Sequence, residues 1–272
     1  MKSLQADFFK VMKEGAIQYA APLPFLDLLC VGTATQTEVK EQVDLMYSLI
    51  HQQVDAIVLV PIDSKALVQP VVEAVRKGIP VINIDIRLDA QLLEQAGVEV
   101  AFVGPDNFAA AYEVGKLLDK KLRNEDKVAI IEGLAAADNA QQRKRGFIKA
   151  IEEKGLRLVA SEPADWETEK AAEVFKAMWM RYPDLKAVYC SNDAMALGVL
   201  QQMQEKNCYL PVVGFDNDVV MKEFLSTGKL VATADIFSSQ MAVRGIEFAL
   251  DVLEGKIENR GVHSTTYEII KQ

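Results

Sequence analysis

Residue types that do covalent chemistry are scarce in this chain. Among its 272 residues there are two histidines and three cysteines. His51 and His263 stand far apart without clustered acids, so no nucleophile–histidine pair and no metal site can be built from them; both read as surface residues. Cys30, Cys190 and Cys208 have no C-x-x-C spacing and form an odd set, which argues against a disulfide framework and against zinc. No G-x-G-x-x-G follows a strand, and neither a phosphate-binding loop nor a G-x-S-x-G is present. Catalysis, cofactor and metal are therefore not expected. What stands at the ends of candidate strands are groups that bind without reacting. Asp85 and Asp216 close the short runs "PVINID" and "PVVGFD", Asn192 closes another, and Phe8, Phe9 and Trp166 are aromatic. Carboxylates accept hydrogen bonds, an amide donates and accepts, and rings offer apolar area at little rotamer cost.

Each has a plainer role. Asp85, Asp216 and Asn192 suit caps or turns, and Trp166 suits surface packing near a helix start. Asp63 and Asp193 sit directly before helices and read as their caps. Of the two phenylalanines, one ring reads as core.

The elements that must position these groups alternate. Candidate strands are 25–31, 55–60, 80–85, 98–104, 127–133, 156–161, 186–191, 210–216, 229–235 and 264–270, with helices such as 36–52, 64–77, 106–122, 138–154, 167–181, 193–206 and 237–254 between them. Several strands are continuous apolar runs, as expected where helices cover both faces of a parallel sheet. The length suits two domains of roughly 100–150 residues. A formal net charge of -9 argues against nucleic acid, whose phosphates demand a basic face. The densest basic run, Arg143–Lys144–Arg145, reads as a solvated helix face. No apolar run approaches the roughly 20 residues of a membrane span, and polar residues interrupt the start where a secretory signal would be apolar.

The strongest pattern is internal. Ala56 and Ala187, Pro80 and Pro211, and Gly15 and Gly146 are all 131 positions apart (187 − 56, 211 − 80, 146 − 15). The pairs Thr37–Glu38 and Thr168–Glu169, each opening a helix, keep the same spacing. A fixed offset across four strand–helix units reads as two lobes of one topology in series. It also predicts that the first lobe's counterpart of strand 127–133 falls at positions −4 to 2, so that this strand is missing and "MKSLQADFF" is the loop leaving its carboxyl end. In open α/β sheets such loops form the ligand crevice.

The blocks "ADFFKVMKEG", "IVLVPIDSKAL", "GIPVINID", "VGPDN", "QQRKRGF", "SEPADWETEKA", "AVYCSNDAMALG", "VVGFDND" and "GKLVATAD" resemble, in order and spacing, the type I periplasmic sugar-binding proteins of the ribose and galactose group. LacI-type effector domains share that fold. The resemblance covers nearly the whole chain. It implies an α/β fold of two similar lobes, each a parallel sheet flanked by helices. The N-terminal lobe would hold 1–104 plus 237–263 and the C-terminal lobe 105–236 plus 264–272, with a three-strand hinge at Gly104–Asp106, Asp235–Phe237 and Val262–Ser264. It further implies a sugar or polyol trapped as the lobes close, delivered to an ABC transporter permease or a chemoreceptor in the periplasm or outside the cell. The alternative is the sensing domain of a LacI-type regulator or of a membrane receptor. Phe8, Phe9, Asp85, Gln141, Trp166, Asn192, Asp216 and Asp235 fall on the family's binding positions. Several of those positions depart from the usual residue: Val60 stands where an amide is common, Ile86 and Gln141 where an arginine is common, and Asp235 where an amide is common. A first lobe so apolar argues for a deoxy sugar, polyol, cyclitol or other small polar metabolite over ribose.

Overall fold

The computed structural model of the chain describes residues 1–120 and 122–271. In chain order the elements are α1 (Asp7–Ala20), α2 (Val39–Gln52), β1 (Ile57–Leu59), α3 (Val68–Arg76), β2 (Val81–Ile84), α4 (Ala90–Gln95), β3 (Phe102–Pro105) and α5 (Asn107–Asp119). There follow β4 (Lys127–Glu132), α6 (Asp138–Lys154), β5 (Arg157–Pro163), α7 (Thr168–Arg181), β6 (Ala187–Cys190), α8 (Asp193–Glu205) and β7 (Val212–Val213). After a 3-10 turn (Val219–Met221), the chain ends with α9 (Lys222–Ser226), β8 (Leu230–Asp235), α10 (Ser238–Leu253), β9 (Val262–Thr265) and β10 (Glu268–Lys271). The helix expected over 106–122 reaches Lys121, which lies outside the described residues, as does Gln272.

Two compact units result. The first holds Met1–Pro105, Ala136–Asp138 and Phe237–Thr266; the second holds Asp106–Ala135, Asn139–Ile236 and Tyr267–Gln272. In the first, β1, β2, β3 and β9 form a parallel sheet in that order. In the second the order is β10-β8-β7-β6-β4-β5, parallel except for the antiparallel β10. The run 264–270, expected as one strand, is two: Thr266 is exposed between β9 and β10, and the chain changes sheets there.

The spacing of 131 reappears in the hydrogen bonds themselves. Ile57 N–H donates to Pro80 O at 2.9 Å, and Val188 N–H to Pro211 O at 3.1 Å. Asn83 N–H meets Ala101 O as Gly214 N–H meets Ala232 O, and Asp85 N–H meets Val103 O as Asp216 N–H meets Ala234 O. Side-chain packing repeats too. A Cβ on Gly15 would lie 2.6 Å from Ser239 Cβ on α10, and one on Gly146 would lie 2.5 Å from Phe108 O on α5. Each glycine thus lets one helix touch another's backbone.

The strand expected at 25–31 is absent. Those residues alternate exposed and half-buried, with Phe25 69 % exposed, but they make no ladder. In the second unit the counterpart, β5, pairs with β4 alone. Shifted by 131, the pair Glu132↔Pro163 becomes positions 1 and 32. Met1 follows that register: its amino group donates to Val31 O at 2.8 Å, and a Cβ on Gly32 would meet Lys2 O at 2.4 Å.

Local chemistry fixes the other ends. Asp106 caps α5 by accepting from Ala109 N–H, and Asp89 caps α4 by accepting from Leu92 N–H, each at 2.9 Å. In the second core, Phe147 and Tyr189 pack with ring centres 5.4 Å apart. Burying each such side chain contributes on the order of 2 kcal/mol.

Gly15→Ala and Gly146→Ala should each lower stability by about 1–3 kcal/mol, because backbone atoms must move; a fall in the denaturation midpoint for both checks it. Tyr267 supplies a pH test. Its hydroxyl donates to Glu113 Oε1 at 2.9 Å, and burial, then Glu113, then the Asp106 charge push its pKa up to about 12. The folded state therefore keeps a proton that the unfolded chain releases near 10. That contribution is complete below pH 10 and is lost as pH rises to about 12. Urea titrations between pH 9 and 12 should show a steeper loss for the native chain than for Tyr267→Phe.

Candidate functional site

Of the residues singled out from sequence, Asp85, Asn192, Asp216 and Asp235 lie at carboxyl ends of strands, and the backbone there is unusual. Asp85 follows β2 with φ 62°, and Asp216 follows β7 with φ 109°. Positive φ is uncommon for any residue but glycine and costs of order 1 kcal/mol or more, so neighbours must hold it. In the first unit Asn83 does so: its amide donates to Ile86 O at 2.8 Å and accepts from Leu88 N–H at 2.8 Å. Asp85 is buried inside that loop; Ile86, next in sequence, and Val60, one residue past β1, are wholly buried. Arg87 places its guanidinium 4.6 Å over the Phe102 ring. Phe8 and Phe9 lie in the first turn of α1 with ring centres 5.0 Å apart and edge to face. Phe9 is core and Phe8 half-buried, which divides the pair as expected.

The second unit holds a denser group, centred on a residue that the sequence reading put in solvent. Arg143 has only 3 % of its side chain exposed. Its Nε donates to Asn107 Oδ1 at 2.8 Å, and Nη1 donates to Ser191 O at 2.8 Å and to Asp216 Oδ1 at 3.3 Å. The guanidinium lies 3.6 Å from the Phe215 ring centre and 5.5 Å from that of Trp166. A buried arginine needs such partners, since an unpaired charge there is costly. The basic run is thus not one solvated face. Lys144 reaches Glu132 at 2.8 Å, and only Arg145 is exposed. The missed signal is helical phase: Asn139, Arg143, Gly146, Phe147 and Ala150 share the buried stripe of α6.

Trp166, at φ 72°, is buried against Gly133, where a Cβ would lie 2.1 Å from the indole Cη2. Asn192 caps α8 by accepting from Met195 N–H at 2.9 Å, leaving its amide group as a donor. Asp193, expected as that cap, does something else: its carboxylate accepts from the loop after β7. The reason is position, since the residue before it already occupies the cap. Asp235 ends β8 and accepts from Asn217 Nδ2 at 2.9 Å. Arg143–Asp216 and Asn217–Asp235 are thus two hydrogen-bonded pairs that form one rim because Asn217 follows Asp216 in the chain. Gln141 is not part of it; its amide donates to Ala135 O at 3.0 Å and steadies the loop before α6. Asn139, one turn before Arg143, has a buried Oδ1 without a hydrogen-bond partner among the described residues. No group of three or more histidine, cysteine or acidic residues that could hold a metal occurs among the described residues.

Comparison with known proteins gives one consistent picture. The family model for the periplasmic binding protein domain matches residues 1–257. A D-ribose/D-allose-binding protein of Pseudomonas aeruginosa is 40% identical over 276 residues, covering 99% of this chain and 86% of that one. A solved ABC transporter solute-binding protein from Burkholderia multivorans, with an unknown ligand interpreted as alpha-D-erythrofuranose, superposes with a TM-score of 0.96 at 40% identity, covering 100% of this chain and 97% of the other. A second solved solute-binding protein, from Actinobacillus succinogenes with bound D-allose, has a TM-score of 0.91 at 31% identity and covers 100% and 95%.

Arg143→Leu should destabilise the chain by about 3 kcal/mol, because Asp216 loses its buried counter-charge. Arg143→Lys keeps the charge but lacks the planar fork that serves Asn107, Ser191 and Asp216 together, so its loss should be intermediate. Urea denaturation of the three chains gives the order.

Proposed function

The chain belongs to the periplasmic binding protein family, and on that premise we propose that it captures a small carbohydrate or polyol with the strand-end residues of both units and delivers it to the permease of an ABC importer. The family is one of binding and transport proteins, and its members work in the periplasm; we infer the same extracytoplasmic setting here. The observation that carries the reading is the repeated aspartate. Asp85 and Asp216 occupy the same register in the duplicated sheets, each with an amide bonded to the neighbouring strand and each in a left-handed backbone that only its loop sustains.

The chemistry fits a polyhydroxylated ligand. Hydroxyl protons are well matched by carboxylates, since charge-assisted hydrogen bonds exceed neutral ones. Asp85 offers a carboxylate in the first unit; Asp216, Asp235 and the Asn192 amide offer polar groups in the second. Phe8 and Trp166 offer rings for C–H faces. Arg143 orients Asp216 by donating to its Oδ1. The buried Val60 and Ile86 supply no polar group, so the first unit asks for a ligand with few hydroxyls on that side.

The test is calorimetry of the native chain with D-ribose, D-allose, deoxy sugars, polyols and cyclitols. At least one should bind with an accompanying change in tryptophan fluorescence that Trp166→Ala removes. Asp85→Asn and Asp216→Asn should each weaken it about 10–100-fold, the loss expected from one charge-assisted hydrogen bond. Failure of the whole panel, or carboxamide variants that bind unchanged, would overturn the assignment.

A further inference from the structure

Asp193 has no exposure to solvent, yet it is not the cap of its helix. The hydrogen bonds of its amide and carboxylate go elsewhere. Its N–H donates to Phe215 O at 2.7 Å. Its Oδ1 accepts from Phe215 N–H and from Thr233 Oγ1, and its Oδ2 accepts from Asp218 N–H, each at 2.9 Å. Those bonds bracket Asp216 and Asn217, which sit at φ 109° and φ 57°. Thr233 Oγ1 also accepts from Asn217 N–H at 3.2 Å, and Asn217 Nδ2 donates to Asp235 Oδ2.

We propose that Asp193 is the positioning residue for the ligand-binding rim of the second unit, fixing Asp216 through Phe215 and Asp218 on either side of it and Asp235 through Thr233 and Asn217. This rests on the reading of Asp216 as a ligand-binding residue. The first unit supplies the contrast. There the matching Asp-x-x-Ala-Leu aspartate, Asp63, accepts only from Lys65 and Ala66 N–H, within its own turn. The post-strand loop is instead held by Asn83, on the strand itself. The position 131 later is Gly214, where a Cβ would stand 1.9 Å from Asp193 Oδ1. The second unit has thus given up the strand's own side chain, and the space is filled by a carboxylate from the next helix. Burial pushes the Asp193 carboxyl well up, and the Asp218 charge adds to this; the three donors pull it down. Because each bond enters from a donor, the ionised form satisfies them all.

A residue that merely stabilised the fold would change the denaturation midpoint and leave ligand discrimination alone. The experiment is a double-mutant cycle in the full chain, read with D-allose and D-ribose. Asp193→Asn should weaken sugar binding about 10–100-fold, in the range of one lost charge-assisted bond. Added to Asp216→Asn, it should cost less than it does alone, since the part of its effect that runs through Asp216 is already lost and only the part that runs through Asp235 remains. Hydrogen exchange of the ligand-free chain should accelerate at the Phe215, Asn217 and Asp218 amides. Losses that add, unchanged affinity, or unchanged exchange at those amides would each overturn the proposal. Thr233→Val, which removes one donor and keeps the volume, should give a smaller loss with the same non-additivity, and serves if Asp193→Asn does not fold. A native chain that binds no sugar sinks the sugar reading alone; faster exchange in Asp193→Asn then still supports the hold on the rim, and no change still overturns it.

Discussion

An aspartate in a left-handed backbone at the end of a buried parallel strand does not stay there unaided. Positive φ costs free energy for any residue with a Cβ, and the loop around it must supply at least as much. Both units meet this constraint, with different side chains. In the first, Asn83 bonds forward to Ile86 and Leu88. In the second, Gly214 leaves room and Asp193 reaches in. The two aspartates end in matching places because the sheet register beneath them is shared, down to the amide of each bonding the next strand. Duplication has kept the backbone solution and allowed its side-chain support to diverge.

The rim of the second unit also concentrates charge. Arg143, Asp216, Asp193 and Asp235 lie within one hydrogen-bonded network, and two of the four are almost wholly buried. A buried ion pair is weak evidence for stability, since apolar residues of like volume often do as well. Its retention makes better sense as placement. Arg143 is stacked on Phe215 and pinned by Asn107 and Ser191, so Asp216 meets a cation that cannot follow it. A carboxylate gripped on one oxygen has its other oxygen set in direction, and direction is what a pocket needs in order to tell one hydroxyl arrangement from another.

Much of this was legible in sequence, for a physical reason. A duplicated sheet preserves strand length and pairing register, so a constant offset survives where residue identity does not; Gly15 and Gly146 keep it because each meets another helix's backbone. The errors share a cause as well. The run 25–31 carries a strand's local pattern, but a strand exists only beside a partner, and these residues make no ladder. Arg143 was hidden in a basic run because counting charge ignores helical phase, although Phe147 and Ala150 one and two turns on mark the buried stripe. Asp193 looked like a cap because Asn192, the true one, precedes it by a single residue. No local pattern reveals that a carboxylate bonds a loop more than twenty residues later in the chain.

Preorganisation follows from these particulars. In each unit the strand-end loops are tied by hydrogen bonds made within that unit, and Trp166 is seated on Gly133 with no room to swing inward. A ligand meeting groups already held in position spends little of its binding free energy on ordering them, and more of it appears as affinity. The same rigidity limits tolerance: a rim braced through Asp193, Thr233 and Asn217 cannot shift one carboxylate without disturbing the next. Selectivity then belongs to the network as much as to the atoms that touch the ligand. A change of preferred ligand is therefore easier to reach by altering residues outside this brace, such as the apolar positions Val60 and Ile86, than by altering the carboxylates themselves.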